Sequence, residues 1–422
     1  MTLDLVIRNA RLTDRGELLD LGIRDGRIAD IARDLGSAAR AIDAEGGRLI
    51  KGFADSHLHL DKACLLDRAA NPSGTLKGAI EAVSAAKRDF TREDIYARGA
   101  RVLEKAICQG TTLIRTHVEI DPAVGLAGFD AVAQLKADYA WALELQICVF
   151  PQEGLLNYHG TEELLRAALD RRADLLGGCP YTDSDPKGQI ARLFDMAREY
   201  DVDLDFHLDF DLDTTWRHLD EVARQTVAHA MQGRVAVGHV TKLSTLPPPQ
   251  LDETIAVMRD AGIALTVLPA TDLFMMGREF TDSVPRGVAP AHRFHAAGLC
   301  CTVATNNVLN PFTPYGDCSL PRMANLFANI AQIGDPAGLD ACFDMISAQP
   351  FRLLGREAAI KTGDAADLVL LPCATSAMAV AEICRPVWGM RSGKMTFEAP
   401  KPVLLAPESA VAGRMPFAES SA

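Results

Sequence analysis

Two histidines separated by one residue carry the clearest chemical signal in the chain. His57 and His59 lie in Lys51-Gly-Phe-Ala-Asp-Ser-His-Leu-His-Leu-Asp61, directly after an apolar run that is typical of a strand. Side chains alternate along a strand, so both imidazoles face one side, where two neutral ring nitrogens can bind one metal ion. The same spacing occurs on half-buried strands whose rings only hydrogen-bond to the backbone, so the pair alone leaves both interpretations open.

The elements that must position this pair form a regular series. Strand-like apolar runs alternate with segments of helical spacing through the middle of the chain, and alternation of this kind predicts an α/β fold, a parallel (β/α)8 barrel of the TIM type. The runs cover residues 47–60, 111–118, 143–150, 174–178, 202–207, 234–239, 263–268 and 299–304. In such barrels the active site lies at the carboxyl ends of the strands.

Polar residues stand at the ends of these runs. They are His57 and His59, His117, Gln152 and Glu153, His207, His239, and Asn306 and Asn307. Several histidines on one rim of a barrel predict a metal site there. The glycine patterns that bind nucleotide phosphates are missing from the sequence.

Both ends of the chain have a different character from the middle. The first fifty residues and the segments 366–371 and 386–395 are short alternating runs separated by turn residues, which predicts antiparallel strands. We therefore expect a small β-sandwich domain built from residues 1–51 and 355–422, the latter including a C-terminal tail, around a barrel of residues 52–354.

Composition limits the classes of function. The net charge of -13 argues against a nucleic-acid-binding protein. Ten scattered cysteines without a Cys-x-x-Cys pair predict reduced thiols. The start of the chain lacks the features of a signal peptide, and no run reaches the roughly 18 apolar residues that span a bilayer. The sequence thus predicts a cytoplasmic protein that binds neither nucleic acid nor membrane.

Taken together, these motifs resemble the amidohydrolase superfamily, in the branch of cytosine deaminase and N-isopropylammelide hydrolase. The resemblance covers nearly the whole chain, and Phe-Pro-Gln-Glu-Gly is its most branch-specific motif. The matching segments are Asp4-Leu-Val-Ile-Arg-Asn-Ala10, Ser56-His-Leu-His-Leu-Asp-Lys62, Arg115-Thr-His-Val118, Phe150-Pro-Gln-Glu-Gly154 and Lys361-Thr-Gly-Asp-Ala-Ala-Asp-Leu-Val369.

The resemblance implies a set of roles. His57, His59 and His207 match three metal ligands of the family, with Asn306 at the fourth position. His239 matches the histidine that polarises the substrate, and Gln152 the glutamine that hydrogen-bonds the heterocycle. One divalent ion is implied, with Zn²⁺ preferred and Fe²⁺ as the alternative, and it would lower the pKa of a bound water. The implied partners are a small nitrogen heterocycle or cyclic amide and further copies of the chain in a homo-oligomer.

Two positions depart from the family pattern. Phe210 stands where cytosine deaminases have a glutamate, and Asn306 stands where nearly all relatives have an aspartate ligand. A benzyl group cannot move protons, so cytosine itself is not the expected substrate, and an amide lacks basicity near neutral pH. Three explanations of Asn306 stay open: natural divergence, an engineered Asp-to-Asn trap, and lost activity. Natural divergence is favoured because Asn307 also departs from the usual acidic pair.

Because Phe210 and Asn306 replace the usual carboxylates, the sequence does not identify one residue as the general base. His239 and Asp209 are the catalytic candidates, although Asp209 could equally bind backbone amides at a strand end. Asp211, which flanks Phe210 on its other side, is a further candidate, and Asp272 and Asp317 are more distant ones.

Further residues are expected around the metal. Asp272, Asn307 and Phe312 are candidate substrate contacts, whereas His117 and Lys62 are expected to support the site, which favours one metal ion. The expected activity is metal-dependent hydrolysis of a non-peptide C–N bond, by deamination or by amide or amidine hydrolysis. The alternative is a diverged pseudoenzyme that binds a small molecule.

Overall fold

The computed structural model describes residues 2–400 together with residues 402 and 405. The strands are β1 (Leu3–Ala10), β2 (Leu19–Arg24), β3 (Arg27–Ala32), β4 (Ala38–Asp43), β5 (Arg48–Ile50), β6 (Phe53–Leu58), β7 (Thr111–Glu119), β8 (Glu144–Phe150), β9 (Leu175–Gly178), β10 (Asp203–Leu208), β11 (Val235–His239), β12 (Ile263–Val267), β13 (Cys301–Val303), β14 (Leu368–Leu371), β15 (Trp388–Arg391) and β16 (Lys394–Glu398). The helices are α1 (Leu76–Lys87), α2 (Arg92–Cys108), α3 (Ala127–Asp138), α4 (Thr161–Asp170), α5 (Pro186–Tyr200), α6 (Leu219–Ala228), α7 (Pro248–Asp260), α8 (Pro269–Met275), α9 (Ala291–Ala296), α10 (Leu320–Ala331), α11 (Pro336–Asp344), α12 (Ala348–Leu353) and α13 (Ser376–Ala381).

The eight strands β6 to β13 form one parallel sheet in which each strand pairs with the next in sequence. The first and last strands meet at a bridge between Leu58 and Asn306. There the N–H of Asn306 donates to the carbonyl of His57 at 2.8 Å, and the N–H of His59 donates to the carbonyl of Asn306 at 3.0 Å. The predicted (β/α)8 barrel is therefore confirmed, with its seam at residues of the predicted metal site.

Local sequence explains where the barrel elements begin. The strands are buried along almost all of their length, as expected when helices cover a parallel sheet. Side-chain caps start some of the helices: the hydroxyl of Thr91 accepts the N–H of Asp94 before α2, and Asp185 caps α5 ahead of Pro186. These short-range signals fix the alternation that carries the polar strand ends to one rim.

Two four-stranded sheets, β3-β2-β1-β4 and β16-β15-β14-β5, flank the barrel. Their apolar core joins residues from both ends of the chain, among them Ile7, Leu21, Leu368 and Trp388. The predicted β-sandwich built from both chain ends is thus confirmed. The predicted boundaries fall between β5 and β6 and between α12 and β14. The last part of the predicted C-terminal tail, from residue 406 onward, lies outside the described residues.

Within the described residues, none of the helices is both long enough and apolar enough to cross a bilayer. All ten cysteines are free thiols, in agreement with their scattered spacing.

Candidate metal centre and active site

Strands β6 and β10 bring three imidazoles together inside the upper barrel. The Nε2 atom of His207 lies 3.0 Å from Nε2 of His57 and 3.1 Å from Nε2 of His59. Two nitrogens bound to one zinc ion lie roughly 3.3 Å apart in tetrahedral geometry. Burial, and after it nearby charged or imidazole groups, holds the pKa of each ring well below its usual value. The rings are therefore neutral and can act as ligands at neutral pH.

The three rings are fixed by their surroundings. Nδ1 of His59 donates to the backbone carbonyl of His117 at 3.2 Å, which leaves its Nε2 unprotonated. The ring of His57 stacks on that of His117 with centroids 3.8 Å apart, and His207 stacks on Phe150 at 4.5 Å. His117 thus contacts His57 through its ring and His59 through its backbone carbonyl.

Asn306 follows β13, and its backbone pairs with that of His57 and His59. Its backbone has a positive φ of 60°, and its Nδ2 donates to the hydroxyl of Thr271 at 3.0 Å. Its Oδ1 is buried and has no hydrogen-bond partner among the described residues. Buried carbonyl oxygens are normally paired, so this oxygen is a donor atom that a cation could use. We call His57, His59, His207 and Asn306 the histidine centre; its donors fit one divalent cation.

A second group of possible ligands overlaps this centre. His57, His117 and Asp205 have ligand atoms within 4.8 Å of one another. The carboxylate of Asp205, however, accepts a hydrogen bond from the guanidinium of Arg115 at 2.8 Å, and both side chains are buried. Because that ion pair already balances its charge, Asp205 is a poor second site for a cation.

His239 ends β11 beside the histidine centre, with a left-handed φ of 69°. Its Nδ1 lies 2.6 Å from Oδ1 of Asp272, and Oδ2 of Asp272 accepts the N–H of Leu268 at 3.2 Å. The ring of Phe210 covers His239 with centroids 3.9 Å apart. Burial raises the pKa of Asp272, while contact with His239 opposes the rise. The carboxylate that the sequence suggested as a substrate contact is therefore held against His239.

Asp209 follows β10 at a left-handed φ of 47°. Its two carboxylate oxygens accept the backbone N–H groups of His218 at 2.9 Å and Leu219 at 3.1 Å, where α6 begins. Burial raises the pKa of Asp209 to about 6, and these hydrogen bonds oppose the rise. The geometry is that of the alternative interpretation, in which Asp209 binds backbone amides.

A buried charged network next to the centre was missed by the sequence analysis. The ammonium of Lys62 donates to Glu119 at 2.7 Å and to Oε1 of Gln152 at 3.1 Å, while Lys87 contacts the other oxygen of Glu119 at 2.6 Å. Burial opposes ionisation of Glu119, but the two lysines outweigh it and lower its pKa to about 2. The sequence contained one indication of this network, because Glu119 is an acidic residue at the end of an apolar strand.

Lys87 extends the network to two further carboxylates. Its Nζ lies 2.8 Å from Asp121 and 2.8 Å from Glu153, and the hydroxyl of Ser84 also donates to Glu153 at 2.6 Å. We call these six residues the lysine network: Lys62, Lys87, Glu119, Asp121, Gln152 and Glu153. The network ties α1 to β7 and fixes the amide orientation of Gln152, because a flipped amide would set NH2 against the ammonium.

The remaining predicted substrate contacts lie near this network. The ring centroid of Phe312 is 4.7 Å from Nζ of Lys62, and Phe312 packs in one apolar cluster with Phe210 and Met275. The Oδ1 atom of Asn307 accepts a hydrogen bond from Asn310 at 2.6 Å, so Asn307 is tied into its own loop. The cluster provides an apolar wall beside the polar groups, as is common in small-molecule sites.

This fold and rim define a barrel enzyme of the amidohydrolase type. A model of the amidohydrolase family matches residues 132–389, which is more than half of the chain, so the protein belongs to that family.

Relatives of known activity agree with this assignment. The chain is 27% identical over 403 residues to N-isopropylammelide isopropyl amidohydrolase from Pseudomonas sp. strain ADP, covering 93% of this chain and 96% of that protein. It is 29% identical over 360 residues to pterin deaminase from Rhizobium rhizogenes strain K84, covering 83% and 81%. The structure of 5-methylcytosine deaminase from Klebsiella pneumoniae liganded with 5-fluorocytosine superposes with a TM-score of 0.91 at 27% identity, over 95% of this chain and 99% of that one.

These findings confirm the resemblance stated from the motifs. The protein is an amidohydrolase that acts on non-peptide carbon–nitrogen bonds, in a family whose members depend on metal ions.

Proposed function

We propose that the protein is a single-metal hydrolase that cleaves a C–N bond of a small nitrogen heterocycle, by deamination or by amide or amidine hydrolysis. The observation that carries the proposal is the convergence of three buried Nε2 atoms, with His57 and His59 within 3.1 Å of His207. Zinc is the preferred ion, since three neutral imidazoles and one oxygen suit it, and Fe²⁺ is the alternative.

The histidine centre would hold this ion through His57, His59, His207 and the unpaired Oδ1 of Asn306. The ion, when bound, supplies Lewis acidity and lowers the pKa of a water molecule toward neutrality. An amide oxygen in place of the usual carboxylate leaves one more net positive charge at the centre.

The substrate side of the proposal rests on the polar and aromatic groups around the centre. Gln152, held by Lys62, would hydrogen-bond one edge of the ring, and Phe312 would lie along its face. Ammelide, pterin and 5-methylcytosine, for which the relatives are named, are all flat nitrogen heterocycles. Phe210 contributes an apolar surface where a proton-shuttling carboxylate would stand in cytosine deaminases, so cytosine is not the proposed substrate.

His239 would stabilise negative charge that develops on the substrate once its Nε2 carries a proton. Asp272 engages its Nδ1, so its Nε2 is the nitrogen available to the reacting groups. The neighbouring rings of His57 and His207 lie at centroid distances of 6.0 and 5.6 Å, which places His239 at the edge of the histidine centre.

The direct test is turnover by the purified, metal-loaded protein on a panel of pyrimidines, triazines, pterins and cyclic ureides. We expect release of ammonia or an amine from at least one class, and loss of that activity in His207→Ala. A protein that holds one equivalent of metal and turns over no member of the panel would be the pseudoenzyme instead. Assembly into a homo-oligomer stays a prediction, which light scattering would check.

A further inference from the structure

Hydrolysis of a C–N bond needs a group that takes a proton from water and returns it to the leaving nitrogen. Three residues near the centre cannot readily do this. Asn306 has an amide of negligible basicity, Phe210 has no exchangeable proton, and both oxygens of Asp209 already accept backbone N–H groups. The inference that follows rests on the proposed function and concerns the residue that replaces the absent carboxylate.

We propose that Asp272 is a positioning residue that makes His239 the general base of this enzyme. Nδ1 of His239 lies 2.6 Å from Oδ1 of Asp272, and the carboxylate is in turn fixed by the N–H of Leu268. Neither His239 nor Asp272 is more than 2% exposed, so bulk water does not compete for this hydrogen bond. The arrangement repeats the logic of a carboxylate that orients a catalytic histidine.

The hydrogen bond selects one tautomer of the imidazole. A carboxylate accepts, so Nδ1 carries the hydrogen and Nε2 keeps its lone pair. The ring of Phe210, tilted by 32° at a centroid distance of 3.9 Å, packs against His239. The lone pair of Nε2 therefore has a fixed position before a substrate binds.

His239 and Asp272 together account for the proton that moves during the reaction. As the water oxygen bonds to the ring carbon, one water proton passes to Nε2 of His239, and Asp272 stabilises the imidazolium. The C–N bond then breaks with its electron pair on nitrogen, and His239 returns the proton to that nitrogen. The products are the hydroxylated or oxo ring and the free amine, and His239 and Asp272 return to their starting states.

One short segment, helix α8, hydrogen-bonds both the amide of Asn306 and the imidazole of His239. Thr271 accepts the Nδ2 of Asn306 at 3.0 Å and shares a hydrogen bond with Thr313 at 2.6 Å, while the next residue, Asp272, holds His239. Helix α8 thus fixes the amide of Asn306 through its Nδ2 and supplies the carboxylate for His239.

The test is a double-mutant cycle with Asp272→Asn and Asn306→Asp, scored by kcat and KM on the best substrate of the panel. Asp272→Asn should lower kcat roughly 10³- to 10⁴-fold with little change in KM, because it favours the wrong tautomer. In the Asn306→Asp background the same change should cost at least about tenfold less, since a carboxylate at 306 can take the proton. Asp260→Asn, which makes the same chemical change at an exposed acid at the end of α7, is the control.

Two further measurements separate positioning from folding. Nitrogen NMR of His239 should show hydrogen on Nδ1 in the unaltered protein and a shifted tautomer in Asp272→Asn. Metal stoichiometry should be equal in the two. An equal kcat loss in both backgrounds, an unchanged tautomer, or loss of metal in Asp272→Asn would each overturn the inference. Absence of turnover by the unaltered protein would instead overturn the proposed function, and this inference with it.

Discussion

The histidine centre and the lysine network lie side by side in the same buried rim, yet they differ in how completely their polar atoms are hydrogen-bonded or ion-paired. In the described part of the chain, every buried side-chain nitrogen and oxygen of the lysine network has a partner. The histidine centre leaves Oδ1 of Asn306 and Nδ1 of His57 and His207 unpaired. Complete pairing is typical of structural support, whereas the unpaired Oδ1 of Asn306 is an oxygen that a cation could use.

The two regions also differ in the formal charges that they contain. The lysine network contains two ammonium groups and three carboxylates that stabilise one another, and Glu119 keeps its charge because both lysines contact it. The histidine centre has no formal charge and becomes charged only when a cation binds. The following predictions test this division, beginning with the largest expected effect.

Removal of a ring from the histidine centre should abolish metal binding. His57→Ala and His207→Ala each delete one of three converging Nε2 atoms, and we expect metal stoichiometry to fall from one to near zero together with activity. Elemental analysis of the purified variants measures this directly. His229→Ala, which alters a histidine bonded to Gln225 on α6, should keep its metal. Full occupancy in the His57 and His207 variants would disprove the ligand set.

Removal of a cation from the lysine network should cost stability and leave the metal in place. Lys87→Met strips three carboxylates of a buried partner, and breaking such a pair costs about 3–5 kcal/mol. Urea unfolding measures the loss. Lys77→Met on the same helix removes an exposed pair 3.8 Å long with Glu81 and should cost almost nothing. A metal-free Lys87→Met protein would show that the two regions are not separate.

Asp209 should influence stability more than catalysis. Its pKa is about 6 in the folded protein against 3.8 in a model peptide, so the folded state holds the proton more tightly. Stability should therefore fall by about 2 kcal/mol as pH rises from 4 to 7, with most of the loss below pH 6. Asp209→Asn, which does not titrate, should lack this component in unfolding curves measured at several pH values. A loss of kcat greater than tenfold in the variant would restore Asp209 as a proton-transfer group.

A carboxylate at position 306 should strengthen metal binding by about tenfold, the smallest change in this series. Asn306→Asp adds an anionic ligand, and the hydroxyl of Thr271 can turn from acceptor to donor to suit it. Competition with a fluorescent chelator measures the affinity of both proteins. Activity that appears only in Asn306→Asp would favour a pseudoenzyme or an engineered trap over natural divergence.

The barrel could be predicted from sequence because its signals are local. Apolar runs such as 111–118 and 263–268 coincide with β7 and β12 almost to the residue. The positions of His57 and His207 at strand ends follow from the same pattern.

The side-chain partnerships could not be predicted in this way. Asp272 holds His239 across 33 residues, and Lys62 reaches Glu119 across 57. Which acid faces which base depends on the register of neighbouring strands and on side-chain direction, and one sequence does not specify either. Asp209 shows the same limit, since its backbone partners lie nine and ten residues further along the chain, at the start of α6.

The seam of the barrel has a consequence for folding. Strand β6 supplies His57 and His59, and Asn306 pairs with their backbone from the opposite end of the barrel sequence, almost 250 residues later. Closing so long a loop is slow and entropically costly. A cation that binds β6 and Asn306 together would act only on the closed ring, so it would favour closure by mass action. A bound metal ion would thus stabilise the contact between the first and eighth strands of the barrel. Its loss would first open the barrel between these two strands.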